Sequence, residues 1–368
     1  MEYKTPQFFH LMQYAAAADG DVIDMVSGNP DWEPPEAIRK GLHRYADSDA
    51  SEFQYPPSDG LKPLKHEIAE RRAVDPDRII ITNGTGEANY LGMARGLESD
   101  RGDTCVLIDP VYPYYLGKTS MLGGQPRLVE ANRDGTLDSA DTCEAITDDT
   151  ALVVLNTPNN PTGAVYDLEA IRAVVETAAD HDALVVVDEV YDHFDLSGTF
   201  ESALTLEADN VIVTSGVSKS MAITGFRVGY GIFPPALVDA AKTRHMLTNV
   251  TTSRPAQQAV YNAYRESTPA YYQAARDRLC GRIEAFTDGL DAAGAEYTTP
   301  DGGFYVLARF EGFPGTMDNV KTLIDEAGVA GMPGATFGTA RAEWIRFALV
   351  TPRTAQAAER LVSYFDAR

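Results

Sequence analysis

Cysteine, lysine and long apolar runs are all scarce in this 368-residue chain. Cys105, Cys143 and Cys280 are scattered and form no CxxC pair, which excludes a disulfide framework and zinc-ligand spacing. They read as small, partly buried residues. No apolar run approaches the roughly 20 residues that span a bilayer. The N-terminal MEYKTPQFFHLMQ lacks a basic region followed by an apolar stretch, so it does not read as a secretory signal. A soluble, cytoplasmic protein is the expectation. Basic residues are few as well, 31 against 54 acidic, for a formal net charge of −23. That balance opposes nucleic-acid binding, which needs basic patches to neutralise phosphates. The acids are dispersed, as in ADGDVID, LESDRGD and AITDDT, so they do not form an acidic tail. Only eight of the basic residues are lysines. A lysine-poor, strongly acidic but otherwise globular composition points to a halophilic protein, because high salt screens surface self-repulsion.

What is present is regular. Five short apolar runs, IIITN, CVLID, ALVVLN, ALVVVD and VIVTSG, lie between residues 79 and 216, and RVGYGIF (227–233) reads as a sixth. Helix-like stretches such as EANYLGMARGL and DLEAIRAVVETAADH separate them. Continuous apolar strands alternating with amphipathic helices predict an α/β protein with a mostly parallel sheet covered on both faces. After about residue 235 the texture changes. Long helical stretches, the strand-like GGFYVLARF and WIRFALV, and a closing helix AQAAERLVSYF predict a smaller α+β domain. The expected division is an N-terminal segment 1–40 joining the small domain, a large domain 41–265 and a small domain 266–368.

Polar groups gather where these strands stop. Asn156 and Asn160 follow ALVVL, Asp188 ends ALVVV, and Lys219 follows VIVTSG. Ligands of open α/β sheets bind beyond the carboxyl ends of the strands, so one shared pocket is the reading. Singly, each residue has an ordinary explanation: a helix cap for Asp188, an Asx turn before Pro161 for Asn160, a solvated lysine for Lys219. A partly desolvated lysine there becomes a nucleophile toward carbonyls. A carboxylate on a neighbouring strand could hold a protonated pyridine nitrogen. Arg227, eight residues beyond Lys219, could hold a phosphate with the glycine-rich turn TNGTGEAN at a helix N-terminus, although a plain tight turn reads equally well there. Lysine, carboxylate and phosphate cradle together are what pyridoxal phosphate requires.

The set NTPNNPTG, VVDEVY and SKSMAITGFRVGY resembles the class I/II aminotransferases, fold-type-I pyridoxal phosphate enzymes, in order and spacing from SGNPDW to RFALV. The resemblance implies a large domain with a mostly parallel seven-stranded sheet and a homodimer with shared active sites. It implies that Lys219 is the Schiff-base lysine and that Asp188 pairs with the pyridinium nitrogen. Tyr191 and Asn160 would bond the ring 3-oxygen, and Tyr112 would stack on the ring. Thr85, Gly86, Ser218 and Arg227 would hold the phosphate, with Tyr55 reaching it from the partner subunit. Arg346 would grip the substrate α-carboxylate, beside a backbone amide of Gly28. The implied reaction moves an amino group from an L-amino acid to a 2-oxo acid, such as 2-oxoglutarate, by ping-pong kinetics. Two departures stand out. Gly216 occupies a position where the family often has serine, so either one phosphate hydroxyl is missing or Ser215 or a water substitutes for it. Gly86 and Glu87 stand where related dicarboxylate enzymes can carry a lysine, leaving Arg254 as a candidate for a distal acid. A β-lyase of sulfur amino acids or a decarboxylase is the alternative on this scaffold; such lyases often carry histidine at the Tyr191 position. A regulator domain is disfavoured by the acidity and by the lack of room before SGNPDW.

Overall fold

β-Branched runs bounded by turn residues become strands. In the computed structural model, which describes residues 7–18, 20–98 and 102–368, the strands follow in chain order. They are β1 (Ile23–Asp24), β2 (Ile79–Asn83), β3 (Thr104–Asp109), β4 (Gln125–Glu130), β5 (Thr150–Asn156), β6 (Leu184–Asp188) and β7 (Val211–Gly216). β8 (Val228–Ile232), β9 (Glu296–Tyr297), β10 (Tyr305–Arg309), β11 (Val329–Ala330), β12 (Met332–Pro333) and β13 (Ile345–Ala348) complete the set. Among the described residues, seven strands form one sheet in the order β2-β8-β7-β6-β5-β3-β4. Only β8 runs against its neighbours, pairing antiparallel with both β2 and β7.

The sheet is covered on both faces, and the alternation within single strands shows it. Val153 and Leu155 of β5, with Val185 and Val187 of β6, pack against Ile171 and Val174 of helix Leu168–Asp180. Leu152, Val154, Leu184 and Val186 face the other way, toward Leu91 and Met93 of helix Thr85–Leu97. Strands buried on both faces carry no polar alternation, which is why they read as plain apolar runs. β4 is the exception. It lies at the sheet edge, exposed at most of its positions, and its QPRLVE has no apolar run to announce it.

The chain order breaks at β3: β4 pairs on one side of it and β5 on the other. From there the parallel strands step through β6 to β7. That reversal opens a crevice beyond the carboxyl ends of the strands. A second core closes over it. Leu11, Ile23, Met25 and Val26 of the N-terminal segment join Phe286 and Leu290 of helix Pro269–Ala292 and Phe347 of β13. Its sheet is antiparallel, in the order β12-β13-β10-β9, and β1 pairs parallel with β11 alongside. No helix among the described residues is long and apolar enough to cross a membrane.

Candidate active site

A cavity of about 280 Å³ lies where the large sheet, the small sheet and the N-terminal segment meet. Twelve residues singled out in the sequence line it: Gly28, Thr85, Gly86, Tyr112, Asn156, Asn160, Asp188, Tyr191, Ser218, Lys219, Arg227 and Arg346. They come from seven separate stretches of chain. The lining also holds Lys118, so four cations face one carboxylate, Asp188, in a chain whose net charge is −23.

Lys219 sits just past β7. Its Nζ donates to the Gly28 carbonyl at 2.7 Å. Burial, reinforced by the nearby Arg346 and Arg227 charges, draws its pKa down from 10.5 to about 8. A lysine so placed is partly neutral near physiological pH, as a nucleophile or proton acceptor must be. Asp188, at the end of β6, is 4% exposed. Its Oδ2 accepts from Asn89 Nδ2 and Tyr115 Oη, each at 2.6 Å, and its Oδ1 from the Val190 N–H at 3.1 Å. Burial pushes its pKa up, and those donors with the Lys118 charge oppose the rise. Burial also pushes the Tyr191 phenol well above its ordinary value, so its hydroxyl keeps its proton; it donates to Tyr305 Oη at 3.3 Å.

At one end of the cavity the backbone of Gly84, at φ +77°, opens helix Thr85–Leu97. A Cβ there would stand 2.3 Å from Arg227 Nη2, so only glycine lets the guanidinium lie against the turn. Arg227 donates to the Thr224 and Asn83 carbonyls and has no carboxylate partner among the described residues. Thr85 Oγ1 is buried without a hydrogen-bond partner. The free N–H groups of this helix start, the orphan hydroxyl and the unpaired guanidinium make an anion site. Of the alternatives for the serine missing at position 216, substitution by Ser215 is not supported by the geometry. Its Oγ donates to the Glu189 carbonyl at 3.2 Å, and it does not line the cavity. A Cβ on Gly216 would lie 2.6 Å from Thr85 Oγ1 and 3.0 Å from Gly229 Cα. The space that a serine would need at position 216 is therefore held by the Thr85 hydroxyl.

Arg346, on β13, lies at the other end, 2% exposed. Its guanidinium carbon lies over the ring of Tyr305 at 4.4 Å and over that of Phe337 at 4.9 Å. Nη1 donates to Asn160 Oδ1 at 3.1 Å and Nη2 to the Val26 carbonyl at 2.6 Å, while Nε is buried without a partner. No carboxylate neutralises it among the described residues. A buried cation left in this way is costly unless an anion arrives. Gly28 gives the site its carbonyl, to Lys219, and a side chain there would collide with Tyr305 Oη at 2.1 Å. Two candidates lie away from this chain's cavity. Tyr55 is 81% exposed, and Arg254 is paired with Glu52 and donates to the Gln54 carbonyl.

The model of the family described as aminotransferase class I and II matches residues 20–365. The chain belongs to that family. It is 31% identical to a probable aspartate/prephenate aminotransferase of Thermus aquaticus, across 86% of this chain and 84% of that one. An aspartate aminotransferase of Bacillus subtilis is 29% identical across 95% and 93% of the two chains. The solved structure of Thermus thermophilus aspartate aminotransferase with maleate superposes with a TM-score of 0.90 at 28% identity, covering 98% of this chain and 97% of that one. Class I and II aminotransferases depend on pyridoxal phosphate.

In this aminotransferase, sequence reasoning missed Asn89, Tyr115, Lys118 and Tyr305. Asn89 lies four residues after Thr85, one turn along the same helix face, where it reaches Asp188. Pro113 starts helix Pro113–Met121 directly after Tyr112. With that start in hand, Tyr115 and Lys118, three residues apart, fall on one face.

Proposed function

We propose that this chain is a pyridoxal phosphate-dependent aminotransferase that moves an amino group from an L-amino acid to a 2-oxo acid, with 2-oxoglutarate as the first acceptor to test. One observation carries the reading: a lysine drawn down to about 8 shares a cavity with a buried carboxylate and a buried arginine that lacks an anion. The residues present fit the cofactor, since Thr85 Oγ1 is a buried donor without a partner beside an Arg227 that no carboxylate neutralises, and Arg346 Nε is a buried donor left for the substrate. Thr85, Gly86, Ser218 and Arg227 would hold its phosphate, Asp188 its ring nitrogen, Asn160 and Tyr191 its ring oxygen, and Tyr112 one face. When bound, the cofactor supplies an electron sink for charge developing at the substrate α-carbon.

The chain's own groups do the rest. Arg346 would bind the α-carboxylate through its planar fork, fixing which bond at the α-carbon faces Lys219. Lys219 Nζ would hold the cofactor in the resting enzyme and, once released, take the α-proton and return it. Asp188, as a carboxylate, would hold the protonated ring nitrogen. The aromatic walls Tyr112, Tyr305 and Phe337 exclude water. The amino group is carried between two half-reactions, so ping-pong kinetics are expected. Relatives named for aspartate make aspartate the first donor to try.

A homodimer with shared sites belongs to the same proposal. Exposed Phe53 and Tyr55 adjoin the segment of exposed Leu247 and Val250, tied to it through Thr251 to the Pro57 carbonyl. That apolar surface suits a second copy, whose Tyr55 would reach the phosphate and whose Arg254 is free to meet a distal acid once Glu52 is displaced. We extend the proposal to the domain division 1–40, 41–265 and 266–368, a cytoplasmic location and adaptation to salt. The test is a screen of amino donors against 2-oxoglutarate with Lys219→Ala as control. Amino transfer by the wild type and none by the variant is expected. Oxo acid and ammonia released without an acceptor would instead indicate the lyase.

A further inference from the structure

Two of the chain's eight lysines open into this one cavity. Lys219 has a partner in the Gly28 carbonyl. The Lys118 ammonium makes no hydrogen bond or ion pair among the described residues. Its Nζ lies over the ring of Tyr114 at 5.6 Å and that of Tyr115 at 6.0 Å. Tyr115 is itself bonded to Asp188 at 2.6 Å, so one side chain touches both the ammonium and the carboxylate. Lys118 and Asp188 act on each other across the cavity, each stabilising the other's charged form. Basic groups in this chain are mostly arginines. A lone, half-buried lysine whose desolvation draws its pKa down to about 8 is costly to keep without a function.

Resting on the aminotransferase reading above, we propose that Lys118 is a positioning residue. Its ammonium keeps Asp188 ionised opposite the ring nitrogen of bound pyridoxal phosphate, and so sets the acid side of the working pH range. The physical need is plain. Asp188 is buried at the end of β6, where desolvation favours its neutral form, and a neutral carboxyl cannot hold a pyridinium. Hydrogen bonds from Asn89 and Tyr115 oppose this, but they are neutral donors. Lys118 adds a full positive charge that favours the ionised carboxylate. The other charged and titratable groups of the cavity are Tyr112, Tyr114 and Tyr115 from its own segment, Tyr191 beyond β6, Lys219 and Arg227 past β7, and Tyr305 and Arg346 from the small sheet. Those phenols whose pKa moves are all pushed up, so none loses its proton on the acid side. Below about pH 8 Lys118 is charged, so its support is in place throughout the range where Asp188 would protonate.

The test uses the holoenzyme and its Lys118→Met and Lys118→Arg variants. It reads kcat against pH and, on the cofactor-free proteins, the dissociation constant for pyridoxal phosphate over the same range. In Lys118→Met the acid limb of kcat moves up by about half to one pH unit, a loss of about three- to tenfold on that limb and little above pH 8. Cofactor affinity weakens over the same acid range, and Lys118→Arg restores both toward wild type. An unmoved acid limb, a loss equal at every pH, a change confined to KM, or an arginine variant that behaves like the methionine one overturns the proposal. If Lys118→Met fails to fold, Lys118→Gln against Lys118→Arg makes the same comparison. A wild type that takes up no cofactor overturns the aminotransferase reading and this inference together. A wild type that binds it, with variants of unchanged pH dependence, overturns this inference alone.

Discussion

Arg346→Lys keeps the charge at the substrate end of the cavity and removes the fork. The guanidinium lies over the rings of Tyr305 and Phe337, and its Nη1 and Nη2 are already positioned by Asn160 and Val26. An arriving carboxylate therefore meets a preorganised, desolvated pair of donors. Charge-assisted hydrogen bonds are worth roughly 1.5–3 kcal/mol each. Lysine keeps one such bond, loses the other, and loses the stacking on two rings. The combined loss is about 2–4 kcal/mol, or about 30- to 1,000-fold in kcat/KM at about 1.4 kcal/mol per tenfold. The assay compares an amino acid with the amine that lacks its α-carboxylate, in both enzymes, after unchanged thermal midpoints establish that both are folded. The variant should lose activity on the amino acid and almost none on the amine. A loss under about fivefold on the amino acid, or an equal loss on the amine, would refute the assignment of the carboxylate to Arg346.

Two further outcomes follow from the geometry. Gly216→Ser sets a Cβ 2.6 Å from Thr85 Oγ1 and 3.1 Å from the Val228 carbonyl. Overpacking of that kind costs about 1–3 kcal/mol, so cofactor affinity should weaken about fivefold to a hundredfold by fluorescence titration. Tighter binding would mean instead that the added hydroxyl completes the phosphate site. The rate of cofactor uptake by the free protein should climb with pH and level off near 8, because the neutral amine of Lys219 is the reacting form and its pKa is drawn down to about 8. A stopped-flow profile still rising toward 10.5 would show an unperturbed lysine.

The parts legible in the sequence are those that a local signal reports. β5 and β6 are buried on both faces and read as apolar runs, and their terminal Asn156 and Asp188 mark the crevice. β4 escaped notice because an edge strand with exposed faces needs no apolar residues. The antiparallel direction of β8 was equally silent, since direction is set by the connection and not by the strand's own residues. Lys219 and Arg227 were found through a compact motif. Tyr115 and Lys118 were not, because their meaning depends on where a helix starts and on what lies opposite it in space. Gly216 shows the limit most clearly. The sequence identifies a missing hydroxyl and leaves open a gap, a water or the neighbouring Ser215 in its place. The fold turns Ser215 toward Glu189 and brings Thr85, distant in the chain, into the space instead.

The central claim is that Lys219 carries the cofactor. Reduction of the pyridoxal phosphate-loaded protein with borohydride, followed by proteolysis and mass spectrometry, tests it most directly. One phosphopyridoxyl group per chain on the peptide containing Lys219, lost in Lys219→Ala, is the predicted result. Labelling at Lys118 or at any other lysine in its place, or no labelling at all, would contradict the account.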